Sequence, residues 1–157
     1  MPRYAELHCH SNFSFLDGAS HPHDLVRRAV ELGYEALAIT EHDGFYGAPR
    51  FRIAAAEAGL PTVYGVEVGF PKESSVVSRQ SSVRGRTGDC GLKTDDFRPR
   101  RGRSDHLVLL APDPRGYAAL SRLVTRAQFR GEKDRADYDH GEVAEASADG
   151  RLIALTG

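Results

Sequence analysis

The sequence has no apolar run that approaches the roughly 18 residues a membrane-spanning helix needs. Its first residues also lack the basic and then apolar pattern of a secretory signal. With only two cysteines, Cys9 and Cys90, the chain has no basis for a disulfide framework, which indicates a reducing compartment. Together these absences predict a soluble cytoplasmic chain with no membrane partner.

The chain also lacks a large net charge. A balance of −1 excludes an argument from global charge for binding to nucleic acid or to a membrane surface. The charge is unevenly distributed, however, because residues 71–104 carry 9 basic and 4 acidic side chains. This segment is rich in Ser, Arg and Gly, so we expect a long disordered basic loop, a flexible low-complexity insertion.

The basic loop has two interpretations. Its arginines can contact phosphates, but Phe97 is its only aromatic residue, so a solvated disordered insertion is the preferred interpretation. Cys90 has no partner at the spacing of a zinc finger, and we assign it no role.

The 157-residue chain is long enough for one domain with a hydrophobic core. Apolar spacing predicts strands at residues 4–8, 36–40 and 62–68. Two helices alternate with them, one from an N-cap at Ser20 to Gly33 and one over residues 49–58. This β-α-β-α-β order is typical of parallel strands joined by crossover helices.

After the basic loop, we expect a strand at 105–111 and a helix beginning near Pro114. That helix should bury Tyr117, Leu120, Leu123 and Val124. A weak helix at 142–146 and a strand at 152–155 follow. The chain stops at Gly157, directly after an apolar strand, where a barrel would continue. We therefore expect a truncated domain whose exposed sheet edge favours self-association.

The first candidate for chemistry is the His8-Cys9-His10 sequence at the end of the first strand. Strand alternation sends the two imidazoles to one side and Cys9 to the other. Imidazole is a common ligand of zinc, manganese and iron. The second pair, His21 and His23, lies at a helix start, where polar surface or capping is the better interpretation.

Further candidate ligands follow the ends of the predicted parallel strands. They are Asp17 after the first strand, Glu41, His42 and Asp43 after the second, and Glu67 near the end of the third. The carboxyl ends of parallel strands form the functional face of such folds. Clustered carboxylates predict a cation that neutralises them, and the alternative is a solvated polar rim.

Several of these stretches resemble known motifs. The sequence YAELHCHSNFSFLDGAS at residues 4–20 resembles the first motif of PHP (polymerase and histidinol phosphatase) domains. AITEHDG at 38–44 resembles the second motif, and YGVE at 64–67 the next. HLVLLA at 106–111, with Gly116, Tyr117 and Leu120 after it, resembles the continuation in bacterial C-family replicative polymerases, of the DNA polymerase III alpha subunit type.

The amino-acid sequences of residues 14–20 and 43–47 are most similar to the error-prone branch of these subunits, which acts in translesion synthesis. The resemblance covers Tyr4 to Gly157 apart from the basic loop. It implies an α/β fold, part of a distorted (β/α)7 barrel of the PHP type related to TIM barrels. The whole chain, residues 1–157, would then be the N-terminal part of a PHP domain.

The resemblance also implies a cleft with up to three divalent metal ions, zinc, manganese or iron. His8 and His10 would bind one ion, and Glu67 would bridge to a second that His106 also serves. Asp17 and His42 would belong to a third position. Glu41 and Asp43 would support these ligands without touching metal. The implied chemistry is phosphoester hydrolysis, and no further catalytic residue is identified.

His106 begins its predicted strand, whereas the other ligands follow the ends of theirs. If residues 71–104 replace a hairpin loop, the strand at 105–111 returns antiparallel and brings His106 to the end that holds Glu67. The alternative is an exposed histidine at a strand start.

The sequence departs from the family pattern in three ways. Glu41 stands where the family usually has Asp, and its extra methylene affects the contacts of the neighbouring His42. The chain ends before the later family ligands, including a terminal Asp-x-His pair. The polymerase palm with its catalytic aspartates is absent, so we expect no nucleotide transfer by this chain.

The leading interpretation is an N-terminal PHP-domain fragment of an error-prone DNA polymerase III alpha subunit. Its phosphoesterase-like site would be incomplete in this chain, and DNA would be a partner through the full-length polymerase in replication and translesion repair. One alternative is a free-standing small PHP phosphoesterase, which needs a complete site. The other is a non-enzymatic scaffold or a degenerate gene product. An open frame encoding a palm downstream of codon 157 would separate them.

Overall fold

The computed structural model of the chain describes residues 3–70, 105–132 and 135–156. Its elements are β1 (Ala5–Glu6), α1 (Pro22–Leu32), β2 (Ala36–His42), α2 (Ala48–Ala58), β3 (Thr62–Phe70), β4 (Asp105–Ala111), α3 (Pro114–Arg130), α4 (His140–Ser147) and β5 (Ile153–Thr156). The predictions about the basic loop, including Cys90 and Phe97, lie outside the described residues.

The strands form one five-stranded sheet in the order β1-β2-β3-β4-β5. β1, β2 and β3 run parallel, as the alternation of strands and helices predicts. β4 is antiparallel to β3, and β5 is antiparallel to β4. The register pairs Phe70 with Asp105, so the chain leaves β3 and re-enters β4 at adjacent positions. The α/β fold class and the return of the fourth strand are confirmed.

β1 is shorter than predicted. It ends at Glu6, whose carboxylate accepts a hydrogen bond from the His8 N–H at 3.1 Å. His8 and His10 therefore lie in the loop after the strand rather than on its last residues. The predicted last strand is shifted by one residue, because Leu152 precedes β5.

The N-cap prediction at Ser20 is wrong. His21 occupies the N-cap position in an extended conformation and makes no side-chain cap. Pro22 follows it and has no N–H that needs a cap. The Ser20 carbonyl instead accepts a hydrogen bond from the Asn12 N–H at 2.8 Å, which closes the loop after β1. Gly33 ends the helix as predicted, at φ +71°.

The helices cover one face of the sheet in two hydrophobic clusters. α1 and α2 pack on β2 around Phe51, and α3 and α4 pack on β3 and β4 around Leu120. The prediction that α3 buries Tyr117 is wrong, because the side chain is 39% exposed. Its ring instead lies across Phe45, with the centroids 4.7 Å apart. None of the helices in the described part of the chain has the length and apolar character of a membrane span.

Strand alternation places three candidate ligands on the other face. Val66 and Val68 point into the helix-covered cluster, so Glu67 between them points away from it. The same alternation puts His42 of β2 and His106 of β4 on the side that holds Glu67. A small apolar cluster of Ala38, Val108 and Leu110 lies beneath them on this face.

Candidate metal centre

The loop after β1 is fastened to β2 by Thr40. The Thr40 hydroxyl accepts from the Cys9 N–H at 3.0 Å and donates to the Cys9 carbonyl at 3.1 Å. The Thr40 N–H donates to the same carbonyl at 2.9 Å. This clamp continues the pairing of β1 with β2 beyond Glu6, and it holds the peptide between His8 and His10 in place.

Cys9 itself faces the core, as alternation predicts. It packs against the α1–α2 cluster, and its burial, with the nearby carboxylates of Glu6 and Glu41, raises the pKa of the thiol to about 11. A protonated thiol is a poor metal ligand at neutral pH. Cys9 therefore lies apart from the chemistry of its two neighbours.

The imidazoles of His8 and His10 converge on Glu67. Their Nε2 atoms lie 3.1 Å apart. Oε2 of Glu67 lies 2.8 Å from Nε2 of His8 and 3.1 Å from Nε2 of His10. The Glu67 side chain is buried and the two imidazoles are half-buried. These three residues form a group that can hold a metal ion.

The donor set fits a divalent metal ion. Atoms bound to one tetrahedral zinc ion at about 2.0–2.2 Å stand roughly 3.3–3.6 Å from one another, a few tenths of an ångström more than the 2.8–3.1 Å found here. Imidazole nitrogen together with carboxylate oxygen suits zinc, iron and manganese. A buried carboxylate oxygen against two imidazole nitrogens also needs a cation or protons between them.

His42 extends the cluster to the second oxygen of Glu67. Its ring stacks on His10 with the centroids 4.4 Å apart, and its Nδ1 lies 3.2 Å from Oε1 of Glu67. Its Nε2 contacts the carboxylate of Asp17, whose side chain is exposed. The structure thus joins Asp17, His42 and Glu67 in one chain of contacts.

His106 reaches the same neighbourhood from β4. It pairs in register with Gly69, and its ring centroid lies 6.2 Å from that of His8. The side chain is exposed. The reversal of β4 therefore brings His106 beside the cluster, where its ring faces the ring of His8.

Glu41 and Asp43 lie on either side of His42 and make different contacts, Glu41 through its side chain and Asp43 through its backbone. Glu41 points to the helix-covered face, is 1% exposed, and accepts hydrogen bonds from the hydroxyls of Ser11 and Ser14. Asp43 has φ +53°, and its backbone N–H donates to the Glu67 carbonyl at 3.1 Å. Asp43 therefore fastens the end of β2 to β3 through its main chain.

Sequence reasoning missed the two serines. Ser11 and Ser14 are almost fully buried in the loop after β1, where the Ser14 N–H donates to the Ser11 carbonyl at 2.9 Å. Their residue type gives no periodic signal. The one available signal is their place inside the motif at residues 4–20.

Relatives with known names match most of the chain. An error-prone DNA polymerase from Nocardia farcinica is 42% identical over 170 residues, which cover 98% of this chain and 15% of the polymerase. The error-prone DNA polymerase of Cutibacterium acnes is 43% identical, over 98% of this chain and 12% of its own length. The chain thus spans about an eighth of the polymerases it matches.

Among solved structures, an amidohydrolase from Chromobacterium violaceum with bound sulfate and no metal superposes with a TM-score of 0.49. It is 28% identical over 80% of this chain and 34% of its own. The PHP domain model matches residues 6–157, in agreement with the motifs at residues 4–20, 38–44 and 64–67. The chain therefore belongs to the PHP domain family.

Proposed function

We propose that this chain binds a divalent metal ion through His8, His10 and Glu67. The observation that carries the proposal is that one oxygen of a buried carboxylate faces two imidazole nitrogens at 2.8 and 3.1 Å. Two separate parts of the chain bring these three ligand atoms within bonding reach of one point. Without a cation, their assembly would cost free energy, because a buried carboxylate loses its hydration.

The proposed ion is zinc, manganese or iron, and the intact site takes up to three ions. His42 and Asp17 hold a weaker position beside Oε1 of Glu67, supported by their contacts with each other. His106 serves an ion next to His8, supported by the 6.2 Å ring approach. Glu41 and Asp43 support the ligands and touch no metal.

The proposed chemistry is hydrolysis of a phosphoester. Divalent ions at such a site polarise a phosphoryl oxygen and stabilise the charge that develops during displacement. The residues of this chain position the ions, and Glu67 divides its two oxygens between the His8–His10 side and His42. Membership of the PHP family and the donor set both favour this reaction.

For the longer protein, we propose an error-prone DNA polymerase of the DNA polymerase III alpha type, with this chain as the N-terminal PHP segment. The supporting observation is 42–43% identity to such polymerases over 98% of the chain. DNA is then a partner of the whole polymerase in replication and translesion repair, in the cytoplasm. Residues 1–157 contain no palm, so polymerisation belongs to the remainder.

Metal titration of the purified chain tests the first part of the proposal. Zinc, manganese and iron are each titrated by calorimetry, and we expect saturable binding that His10→Ala abolishes and His106→Ala only weakens. Binding unchanged in His10→Ala overturns the metal site. Hydrolysis of bis-p-nitrophenyl phosphate by the loaded chain tests the second part. Because the family resemblance implies an incomplete site in this chain, we expect slow turnover that His10→Ala abolishes, and a loaded chain with no turnover above that of the metal-free chain overturns this second part.

A further inference from the structure

The carboxylate of Glu41 is buried without touching an imidazole. The hydroxyls of Ser11 and Ser14 donate to its Oε1 and Oε2 respectively, and the Ser11 N–H adds a longer bond to Oε1 at 3.3 Å. Burying a carboxylate costs several kcal/mol unless donors replace the lost water. Three donors satisfy Glu41, and an ionised carboxylate only accepts hydrogen bonds.

The Ser14 hydroxyl has three neighbours but only one hydrogen. Its Oγ contacts the Glu41 carboxylate, lies 3.1 Å from Nδ1 of His10, and lies 3.2 Å from the backbone N of His42. The carboxylate can only accept, so the hydroxyl hydrogen goes to Glu41. The His42 N–H can only donate, so it uses one lone pair of the oxygen. The remaining lone pair faces Nδ1 of His10.

This arrangement decides which nitrogen of His10 carries its hydrogen. A lone pair on Ser14 requires a hydrogen on Nδ1, because two facing lone pairs repel. Neutral imidazole has one N–H, so Nε2 is then bare. Nε2 is the atom that faces His8 and Glu67, so a bare Nε2 beside the Glu67 carboxylate suits a cation between them.

We propose that Glu41 acts through Ser14 to hold His10 in the Nδ1-protonated tautomer, with the Nε2 lone pair directed at the metal position. The inference rests on the proposed function, since it assigns His10 as a ligand. Glu41 and Ser14 are positioning residues. Metal-binding histidines commonly donate their other N–H to a fixed acceptor, which sets the tautomer and raises ligand basicity. Here a carboxylate on the opposite face of the sheet provides that function through a hydroxyl.

Ser11 provides the matched control. Both serines are buried and donate to Glu41, but the described hydrogen bond to His10 comes from Ser14. A merely structural role for the Glu41 pocket would make Ser11→Ala and Ser14→Ala equivalent. A positioning role through His10 makes them different.

The first measurement is a long-range proton–nitrogen correlation spectrum of the isotopically labelled 157-residue chain carrying Glu67→Ala, without metal and at about pH 8, where imidazoles are largely neutral. The substitution removes the carboxylate that would otherwise favour a hydrogen on Nε2 of His10. The His10 signals are assigned by their loss in a His10→Asn variant. In this background we expect the Nδ1–H tautomer with both serines present and with Ser11→Ala, and a shift toward the Nε2–H tautomer with Ser14→Ala. A His10 with hydrogen on Nε2 when both serines are present, or equal spectra for the two serine variants, overturns the proposal.

Glu41→Gln in the same Glu67→Ala background gives a second route that does not depend on the folding of Ser14→Ala. The side-chain amide that Glu41→Gln introduces can donate an N–H to the Ser14 oxygen. The Ser14 hydroxyl hydrogen can then be donated to Nδ1 of His10, which favours the tautomer with hydrogen on Nε2. We expect the Nε2–H form of His10 to increase in this variant. An unchanged His10 tautomer in folded Glu41→Gln contradicts the relay.

Zinc titration of chains that keep Glu67 separates this inference from the proposed function. Loss of the supporting contact should weaken zinc affinity by about 10–100-fold in Ser14→Ala and leave it close to wild type in Ser11→Ala. Zinc binding without the tautomer shift overturns the relay and leaves the metal site standing. The tautomer shift in a chain that binds no zinc overturns the metal site and leaves the relay standing.

Discussion

Gly47 lies so close to Glu41 that a Cβ atom on Gly47 would stand 2.6 Å from Oε1 of the carboxylate. The same atom would stand 3.0 Å from Cδ1 of Ile39 and from Oγ of Ser11. Gly47 also precedes α2, so the absence of a side chain there lets the helix begin directly over the buried carboxylate. Position 47 therefore requires glycine because there is no room for a Cβ atom.

Gly47→Ala should displace Glu41 and its serine contacts. We expect a loss of about 1–3 kcal/mol in the free energy of unfolding, typical of an overpacked core, measured by urea denaturation followed by circular dichroism. Gly33→Ala is the comparison, because its cost comes from φ +71° and a Cβ there meets nothing within 4 Å. Zinc affinity should fall in Gly47→Ala alone. A Gly47→Ala chain as stable as wild type would show that the pocket has room to spare.

The two His-x-His pairs of the chain allow a matched test of the metal centre. The double variant His8→Ala, His10→Ala should lose the bound divalent metal, because it removes two of the three ligand atoms around one point. The double variant His21→Ala, His23→Ala should retain it, since those stacked rings lie at the start of α1. Elemental analysis after dialysis against each metal checks both. Equal metal content in all three chains contradicts the assignment.

α2 offers a matched test of the core. Phe51 is 0% exposed between α1, α2 and β2, whereas Ile53 on the same helix is 57% exposed. Phe51→Ala should lower the free energy of unfolding by about 3–5 kcal/mol, and Ile53→Ala by about 0.5 kcal/mol or less. Chemical denaturation measures both. Similar losses would mean that this cluster does not stabilise the sheet.

The edge of the sheet at β5 should mediate self-association. β5 pairs only with β4 among the described strands, and Ile153 is exposed on it. Unpaired backbone groups beside apolar side chains favour pairing with another strand. We expect concentration-dependent oligomers by analytical ultracentrifugation, reduced by Ile153→Lys and unaffected by Ile53→Lys on α2. A wild-type chain that stays monomeric at high concentration contradicts this prediction.

Most of the architecture could be predicted because local patterns determine it. Compact apolar runs identify β2 and β3, and Gly33 and Gly59 end the two helices between the parallel strands, both at positive φ. The predictions that failed depend on tertiary contacts. Ser20 has the right residue type for an N-cap, but its carbonyl is used to close the loop after β1. Tyr117 has the right spacing for burial, but it lies at the rim of the core beside Phe45.

The sequence predicts which residues form the candidate site, but it does not predict which of their atoms are in contact. Strand ends indicated where His42 and Glu67 would meet, because parallel strands align their carboxyl ends. The division of the two Glu67 oxygens between His8 and His42 depends on side-chain rotamers that no spacing encodes. The role of Ser14 depends on the fold of the fifteen-residue loop between β1 and α1, in which hydrogen bonds rather than periodicity determine positions.

The pairing of Phe70 with Asp105 has a consequence for how this domain tolerates change in length. The 34 residues of 71–104 connect two positions that pair with each other in the sheet, Phe70 and Asp105. The entropy of closing a loop grows only with the logarithm of its length. Insertions and deletions between β3 and β4 therefore cost the sheet little, while His106 keeps its register beside the cluster. A change in length at this junction therefore leaves the strands that carry Glu67 and His106 paired as before.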